Sequence, residues 1–442
     1  MILTENAIKY TIRHLFKVAW NDVLPEVQID VTENRRSAVA TIKGKKIIFA
    51  ISEHAFINQL LQRSIKVSKT NTADGIYSIP ICLDESLPFA EIKTDELHIN
   101  ADIVSLSFVM LSRYEEFVIK ERDKHGRFEY KSSIAAKYDF IDFPIVDEYA
   151  LILQIYLKIL FPEENLVVSE CKIIPTHDID DVRRFAGLKK TIRTLLGDVF
   201  HYKSPVMFFR SIWQWLISAN SPSEDPYIKS IRNLVKISDK FNLKSEFYFM
   251  GAKPSRMDNG YDIANSYIVD VLSFIRQHNM IVGFHGGYHT STNSELFGKE
   301  KTRIEHAFGD TIQDGRQHYL RFNIHNSFSV WDECGIQYDS TLGYAEREGF
   351  RCGTCHEYHP WDFENDREYR VKERPLIVMD CTLSDYRKLS ISKAYKQTVQ
   401  LYSRCKTVGG NFVILWHNGF ATRNVKWTKD VYFKFLNNHC HK

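Results

Sequence analysis

The chain contains no uninterrupted apolar run long enough to span a bilayer: Tyr149 to Phe161 is short and carries Lys158. Its first residues, Met-Ile-Leu-Thr-Glu-Asn-Ala-Ile-Lys-Tyr-Thr-Ile-Arg-His, lack the basic start, apolar stretch and small-residue cleavage site of a signal peptide. They read instead as an amphipathic helix. An excess of one charge is also missing. Lys and Arg number 58 against 55 Asp and Glu, a formal net charge of +3. That is too small to argue for nucleic acid, and no RNP-like, zinc-finger or heptad pattern appears. The eight cysteines are scattered. With no export signal they are expected to be reduced thiols in a cytoplasmic protein. Cys352-Gly-Thr-Cys355-His356 matches the c-type haem attachment string. Without export, and with no second Cys-x-x-Cys to complete a zinc site, it reads as an ordinary loop.

At 442 residues the chain exceeds one ordinary core, which predicts two domains. The expected division is 1–165 and 166–442. In the first part, Ala38–Ile42 and Lys46–Ala50 flank the turn Lys43-Gly44-Lys45, a hairpin signal. Ile103–Tyr114 and Asp147–Phe161 have helical spacing. Between them Lys120–Phe128 reads as a charged connection. This part is assigned no chemistry and is expected to be a smaller α/β domain.

From about residue 172, strand and helix alternate. Short apolar runs recur at Lys172–His177, Ser245–Met250, Met280–Gly286, Tyr319–Phe322, Tyr338–Thr341, Leu376–Cys381 and Asn411–His417. Helical stretches include Tyr227–Phe241, Asp262–His278, Ser392–Cys405 and Lys426–Asn438. The alternation predicts a parallel sheet closed or nearly closed into a barrel. Polar residues stand where the runs end: Asp178, His285, Arg321, Asp339, Asp380 and His417. In a β/α barrel those strand ends form the active face.

Asp178 and Asp180 alternate in an extended chain, so both can point the same way, with Asp181 facing elsewhere. His285 and His289 flank Gly-Gly-Tyr, a tight loop. Carboxylate plus two imidazoles is the ligand set of an open zinc-type site, beside which a further carboxylate can act as base. The plainer readings are an acidic turn after a buried strand and two surface histidines in a loop. Placing both segments at strand ends of one barrel favours metal. His417, after Val413–Trp416, is a candidate proton donor. Arg321, or instead Arg316, could hold an aspartate base ionised. Asp339 and Tyr344 are weaker pocket candidates.

On these segments residues 170–442 resemble the NodB-like polysaccharide deacetylases, carbohydrate esterase family 4. Thr176-His-Asp178-Ile-Asp180 looks like their first motif, His285 to His289 like their second, and Leu415-Trp416-His417 like their fifth. Arg321 is the candidate for the third motif, although its Arg-x-Pro-Tyr form is absent and Thr290 replaces the usual proline. Asp339–Tyr344, Gly349–Cys355, Leu111–Glu116 and His125–Phe128 look like a bacterial subgroup with an added N-terminal domain, associated with surface-glycan biosynthesis. The resemblance implies a distorted (β/α)7 barrel and a hydrolase acting on carbon–nitrogen, non-peptide bonds, removing N-acetyl more than O-acetyl groups from a carbohydrate. It implies Asp178 as base, His417 as acid, Arg321 as tether, and Asp180, His285 and His289 as ligands of a divalent metal, Zn²⁺ with Co²⁺ or Ni²⁺ as substitutes. The alternatives are an amidase or imidase on a non-sugar substrate, and a glycan-binding protein without turnover.

The expected partner is an acetylated sugar or glycan, lipid-linked in one reading, with no nucleic acid. From Arg183 to Arg210 seven Lys or Arg stand against one acid, Asp198, and the aromatic stretch Phe208–Ile217 overlaps its end. Segment 183–217 is therefore either a packed lid over the barrel or a peripheral contact with the inner face of an anionic membrane.

Overall fold

The computed structural model describes residues 3–52, 61, 68–81, 87–200 and 205–440. The N-terminal amphipathic stretch forms the helix Glu5–Ala19, capped by Thr4, whose side chain accepts from the Ala7 N–H. Its apolar stripe, Ile8, Ile12, Leu15 and Phe16, is buried against the helix Ile145–Leu160. Strands β1 (Gln28–Val31), β2 (Ser37–Ile42) and β3 (Lys45–Ala50) follow. β4 (Ser68–Asn71) and β5 (Ser78–Ile81) form a separate hairpin. β6 (Ala90–Lys93) and β7 (Glu96–Ile99) complete a five-stranded sheet in the order β1-β2-β3-β7-β6. The β2–β3 turn places Lys43 and Gly44 at φ 49° and 81°, the left-handed pair that a tight hairpin requires.

The later part contributes β8 (Lys172–Ile179), β9 (Glu246–Met250), β10 (Ile281–Gly286), β11 (Asp314–Gln317) and β12 (Tyr338–Asp339). A small ribbon, β13 (Trp361–Asp362) with β14 (Arg367–Glu368), precedes β15 (Lys372–Glu373), β16 (Val378–Met379) and β17 (Asn411–Leu415). Eight of these form one sheet in the order β15-β12-β11-β10-β9-β8-β17-β16, parallel at every pairing. The line 372–379 belongs to both edges. Arg374 N–H donates to Asp339 O beside β12, and Ile377 N–H donates to Val413 O on β17. The sheet therefore curls until its ends meet along one interrupted stretch of chain. Helices Pro226–Lys240, Ser266–Gln277, Ser294–Phe308 and Ile391–Val408 occupy the connections.

One expected strand is displaced. Tyr319–Phe322 is not extended: His318–Leu320 is a helical turn in which Tyr319 and Leu320 take φ 62° and 53°. The strand is β11, five residues earlier, and its sequence Asp-Gly-Arg-Gln contains no large apolar side chain. It is nonetheless buried throughout, because its polar groups pair inside the barrel and Gly315 abuts Phe284 O and the Trp331 ring.

The two halves share one core. At their joint Arg113 is fully buried in the left-handed conformation and donates through Nε to Glu116 at 2.9 Å. Glu116 also receives two Arg351 Nη2 contacts of 2.8 Å, and Arg113 pairs with Glu115. Two cations and two carboxylates thus neutralise one another without water. Asp339 and Tyr344 lie in this interior rather than at a pocket: Asp339 accepts from Thr341 N–H, and Tyr344 OH accepts from Arg113.

The Cys-x-x-Cys-His loop is buried at the same joint, where Asp147 accepts from Thr354 Oγ1 at 2.6 Å and Cys355 N at 2.8 Å. Both nitrogens of His356 face acceptors, Asp22 Oδ1 at 3.0 Å and Val408 O at 3.1 Å, which requires the imidazolium. Burial lowers its pKa, but Asp147 and Asp22 outweigh burial and raise it to about 9. A folded pKa above the ordinary 6.5 means that stabilisation is complete below pH 6.5 and is lost as the pH rises through 9. We expect it to reach at most about 3 kcal/mol. Urea midpoints at acid and alkaline pH check this: wild type should lose stability between them, and His356→Gln should lose markedly less.

Candidate active site

β8 runs between β17 and β9, so Thr176 and Asp178 point from one face of a central strand into the barrel, and Asp180 follows just past its end. Asp178 is buried and paired with Arg316 of β11, itself fully buried. Arg316 Nη1 donates to Asp178 Oδ1 and to Thr176 Oγ1, both at 2.9 Å. Its Nε donates to Ser340 O at 2.7 Å and its Nη2 to Ser340 Oγ at 2.9 Å, while Tyr248 lies 5.0 Å beneath the guanidinium. One oxygen of Asp178 is thereby fixed. The other faces His285 Nε2 at 3.7 Å and His417 Nε2 at 4.0 Å.

Asp180, His285 and His318 offer donor atoms that all lie within 4.8 Å of one another. Asp180 Oδ1 is 3.2 Å from His285 Nε2 and 3.6 Å from His318 Nε2. The far nitrogens are anchored: His285 Nδ1 meets Arg316 O at 2.9 Å, and His318 Nδ1 meets Asp258 Oδ1 at 2.8 Å. Both Nε2 atoms are thus aimed at the carboxylate, the arrangement by which a second layer orients metal-binding histidines. Asp180 Oδ1 and His285 Nε2 are buried without a hydrogen-bond partner among the described residues. Buried polar atoms left in this way cost free energy unless something binds them. Two imidazoles and one carboxylate suit a divalent ion of the zinc class with coordination positions to spare.

Burial would raise both aspartates, but the surrounding charge reverses it. Arg316, His285 and His417 hold Asp178 below the usual carboxylate range, and His285, His318 and His417 hold Asp180 lower still. Across the ring, His417 Nδ1 is 2.8 Å from Asp380 Oδ1, and Asp380 Oδ2 accepts the His417 N–H at 2.7 Å. Burial lowers the imidazole, yet Asp380 outweighs it and raises His417 well above the ordinary histidine value. Asp380, Cys381 and His417 also group their donor atoms, but Asp380 is engaged twice by His417 itself. His177, inside β8, meets Trp416 O at 2.7 Å, and burial pulls its pKa down to about 4.

Two expected assignments change. His289 is exposed, at the start of the turn Thr290–Thr292, and is not in the cluster. The loop before it is held by Gln317 Nε2 on Gly286 O and Gly287 O and by Tyr288 N–H on Asp258, which turns His289 outward. His318 stands in its place. Arg321 does not touch Asp178. Its Nε donates to His125 O at 2.9 Å and its Nη1 to Tyr288 O, whereas Arg316, the alternative, is the arginine paired with Asp178. Asp181 turns away from the centre to Lys190 and Asn259. His318, Asp258 and the pairing role of Asp380 were missed. The available signal for His318 was its place directly after Arg316-Gln317.

The mouth is partly built by the N-terminal half. The His125 ring lies tilted at 4.8 Å from Tyr319, Tyr288 lies 5.5 Å from Tyr319, and Tyr319 lies 4.4 Å from the His318 ring. Arg127 donates to Tyr319 O at 3.0 Å. Loop 120–128 is therefore a wall of the site rather than a solvated connection.

Residues 2–162 match the model of a family of unknown function, DUF7033. No curated protein matches the chain. Among solved structures the chain is similar to a Mycobacterium smegmatis protein that carries a provisional polysaccharide deacetylase name, at 15% identity and TM-score 0.41, over 62% of this chain and 85% of that one. It is also similar to a mutant CE4 family pseudoenzyme with restored activity, at 12% identity and TM-score 0.30, over 61% and 65%. These likenesses are too distant to carry the fold or the chemistry, which rest on the geometry above.

His318→Ala is expected to lose bound zinc and His289→Ala to keep it, as read by elemental analysis of zinc-loaded protein; the reverse pattern would restore His289 as a ligand.

Proposed function

We propose that the protein is a metal-dependent hydrolase of the NodB-like deacetylase type that removes an acetyl group, N-acetyl in preference to O-acetyl, from a carbohydrate. The observation that carries this reading is the convergence of two oriented acid–base groups on one partly buried candidate ligand triad at the strand ends of a curled parallel sheet. Counting the interrupted line 372–379 once makes seven ring positions, in keeping with a distorted (β/α)7 barrel. In this reading residues 166–442 are the catalytic domain and 1–165 an accessory domain that shares the mouth.

Asp180, His285 and His318 would hold the divalent ion, Zn²⁺ first among candidates. When bound, such an ion acts as a Lewis acid towards the acetyl carbonyl and makes water acidic near neutral pH. Asp178 accepts the proton of the attacking water at Oδ2, because Arg316 occupies Oδ1 and keeps the group ionised. Asp380 holds the His417 Nδ1–H, so the protonated Nε2 faces the reacting centre and delivers its proton to the departing amine. The resemblance supports a setting in bacterial surface-polysaccharide biosynthesis, and we read the reaction as cytoplasmic.

A membrane contact through 183–217 is part of this reading. Helix Gly187–Phe200 exposes Leu188, Ile192 and Leu196 at four-residue spacing, and its neighbour Pro205–Asn220 exposes Phe209, Trp213 and Leu216. Lys203 lies outside the described residues. Among the described residues no helix is long and apolar enough to cross a membrane. An apolar pair of helix faces with basic residues beside it suits an anionic bilayer surface.

Asp178→Asn should lower acetate release from N-acetylated sugars about 100- to 10,000-fold while zinc binding is retained; full activity would sink the base assignment. Acetate release from no sugar, with hydrolysis of cyclic imides instead, would favour the imidase alternative. In co-sedimentation with phosphatidylglycerol vesicles, Phe209→Ser/Trp213→Ser should stay in the supernatant while wild type pellets; equal behaviour would make the hairpin a lid.

A further inference from the structure

Tyr319 follows His318 directly and takes φ 62°, with Leu320 at φ 53° behind it. Two successive left-handed residues are costly when neither is glycine, and such strain persists only where neighbouring structure imposes it. Leu320 is restrained by burial, in one apolar cluster with Leu376, Met379, Val413 and Leu415. Tyr319 is less constrained by packing, being 37% exposed. Its carbonyl is held instead from the N-terminal half, where Arg127 Nη1 donates to Tyr319 O at 3.0 Å.

Arg127 is itself fixed. It is buried, and its Nε donates to Asp123 Oδ2 at 2.8 Å. Asp123 Oδ1 accepts the backbone N–H of His125 at 2.8 Å and of Arg127 at 2.9 Å. Gly126, at φ 76°, closes the turn by donating its N–H to Asp123 O at 2.9 Å. The same turn meets the loop after β10, with His125 Nδ1 3.2 Å from Tyr288 OH. A turn tied by charge-assisted hydrogen bonds gives Arg127 a defined position from which to reach the barrel.

The step that Arg127 holds bears on a proposed ligand. The Tyr319 ring comes back against the His318 imidazole, with centroids 4.4 Å apart. His318 Nε2 is the longer arm of the triad, 3.6 Å from Asp180 Oδ1 against 3.2 Å for His285 Nε2. Its far nitrogen meets Asp258 Oδ1, and the same oxygen accepts the Tyr288 N–H, both at 2.8 Å. The N-terminal turn therefore meets His318 by two routes, through Tyr319 and through Tyr288. His285, by contrast, is anchored inside the sheet by Arg316 O.

We infer that Arg127 is a positioning residue for the proposed metal centre: through it the N-terminal half holds the left-handed step at Tyr319 and with it the aim of His318. The N-terminal half is then a working part of the centre rather than a separable module. The inference rests on the reading of His318 as a ligand and is independent of which bond is hydrolysed.

Zinc dissociation constants of the full-length protein, measured by competition with a chromophoric chelator, test it. Arg127→Met keeps an apolar stem but has no donor, and it should bind zinc about tenfold more weakly or worse, as expected for a group that orients a ligand. Arg127→Lys, which can still donate to Tyr319 O, should recover most of the affinity. Glycine takes the left-handed step without strain, so in a Tyr319→Gly background Arg127→Met should cost at most about twofold. Wild-type affinity in Arg127→Met, or an equal loss in both backgrounds, overturns the inference.

Asp123→Asn, which keeps Arg127 but loosens its guanidinium, replaces Arg127→Met if that variant does not fold, and the same outcomes decide. His318→Ala separates the two layers. If it loses zinc while Arg127→Met does not, the positioning role alone fails; if it keeps zinc, the ligand reading fails and this inference falls with it. Zinc affinities in the expected pattern, with no acetate release from any N-acetylated sugar, strike the deacetylase reading and leave Arg127 in this role.

Discussion

Arg316 is the constraint on which the site depends. It is a fully buried guanidinium in the middle of a parallel sheet, and burying a charge is tolerable only where its partners are exact in place and number. Asp178 supplies the opposite charge, while Thr176 and Ser340 take further donors. Its own backbone carbonyl then holds His285 by Nδ1. One residue thus positions the proposed base with its side chain and a proposed metal ligand with its main chain. Disturbing β11 would move both together.

Other charged groups of the barrel interior follow the same rule, beside an apolar cluster of Leu376, Met379, Val413 and Leu415. Arg374 reaches Asp314 at 3.3 Å and Glu357 at 2.7 Å, and it pairs with Glu246, whose other oxygen receives the Tyr248 hydroxyl. Asp314 and Asp339 are both pushed up to about 7 by burial, so this polar filling carries less charge than its residue types suggest. An interior of this kind contributes little net stability compared with apolar packing, but it admits few alternative arrangements of its side chains. The apolar share of the work falls to the outer faces, where Phe247, Phe249, Phe284 and Phe412 pack towards the helices.

This division explains what could be read from the residues alone. Strands β8, β9, β10 and β17 present apolar faces to helices, so hydrophobic runs and the polar residues ending them were visible, including Asp178, Asp180, His285 and His417. β11 is buried without being apolar, because Asp314 and Arg316 are matched by partners distant in sequence. Period and hydropathy cannot register such pairing. The apolar residues of Tyr319–Phe322 read as a strand instead, which favours Arg321 over its alternative Arg316 as the partner of the aspartate. His289 lies outside the cluster for a related reason: four-residue spacing puts imidazoles on one face of a continuing helix, and here the chain turns at Gly286-Gly287.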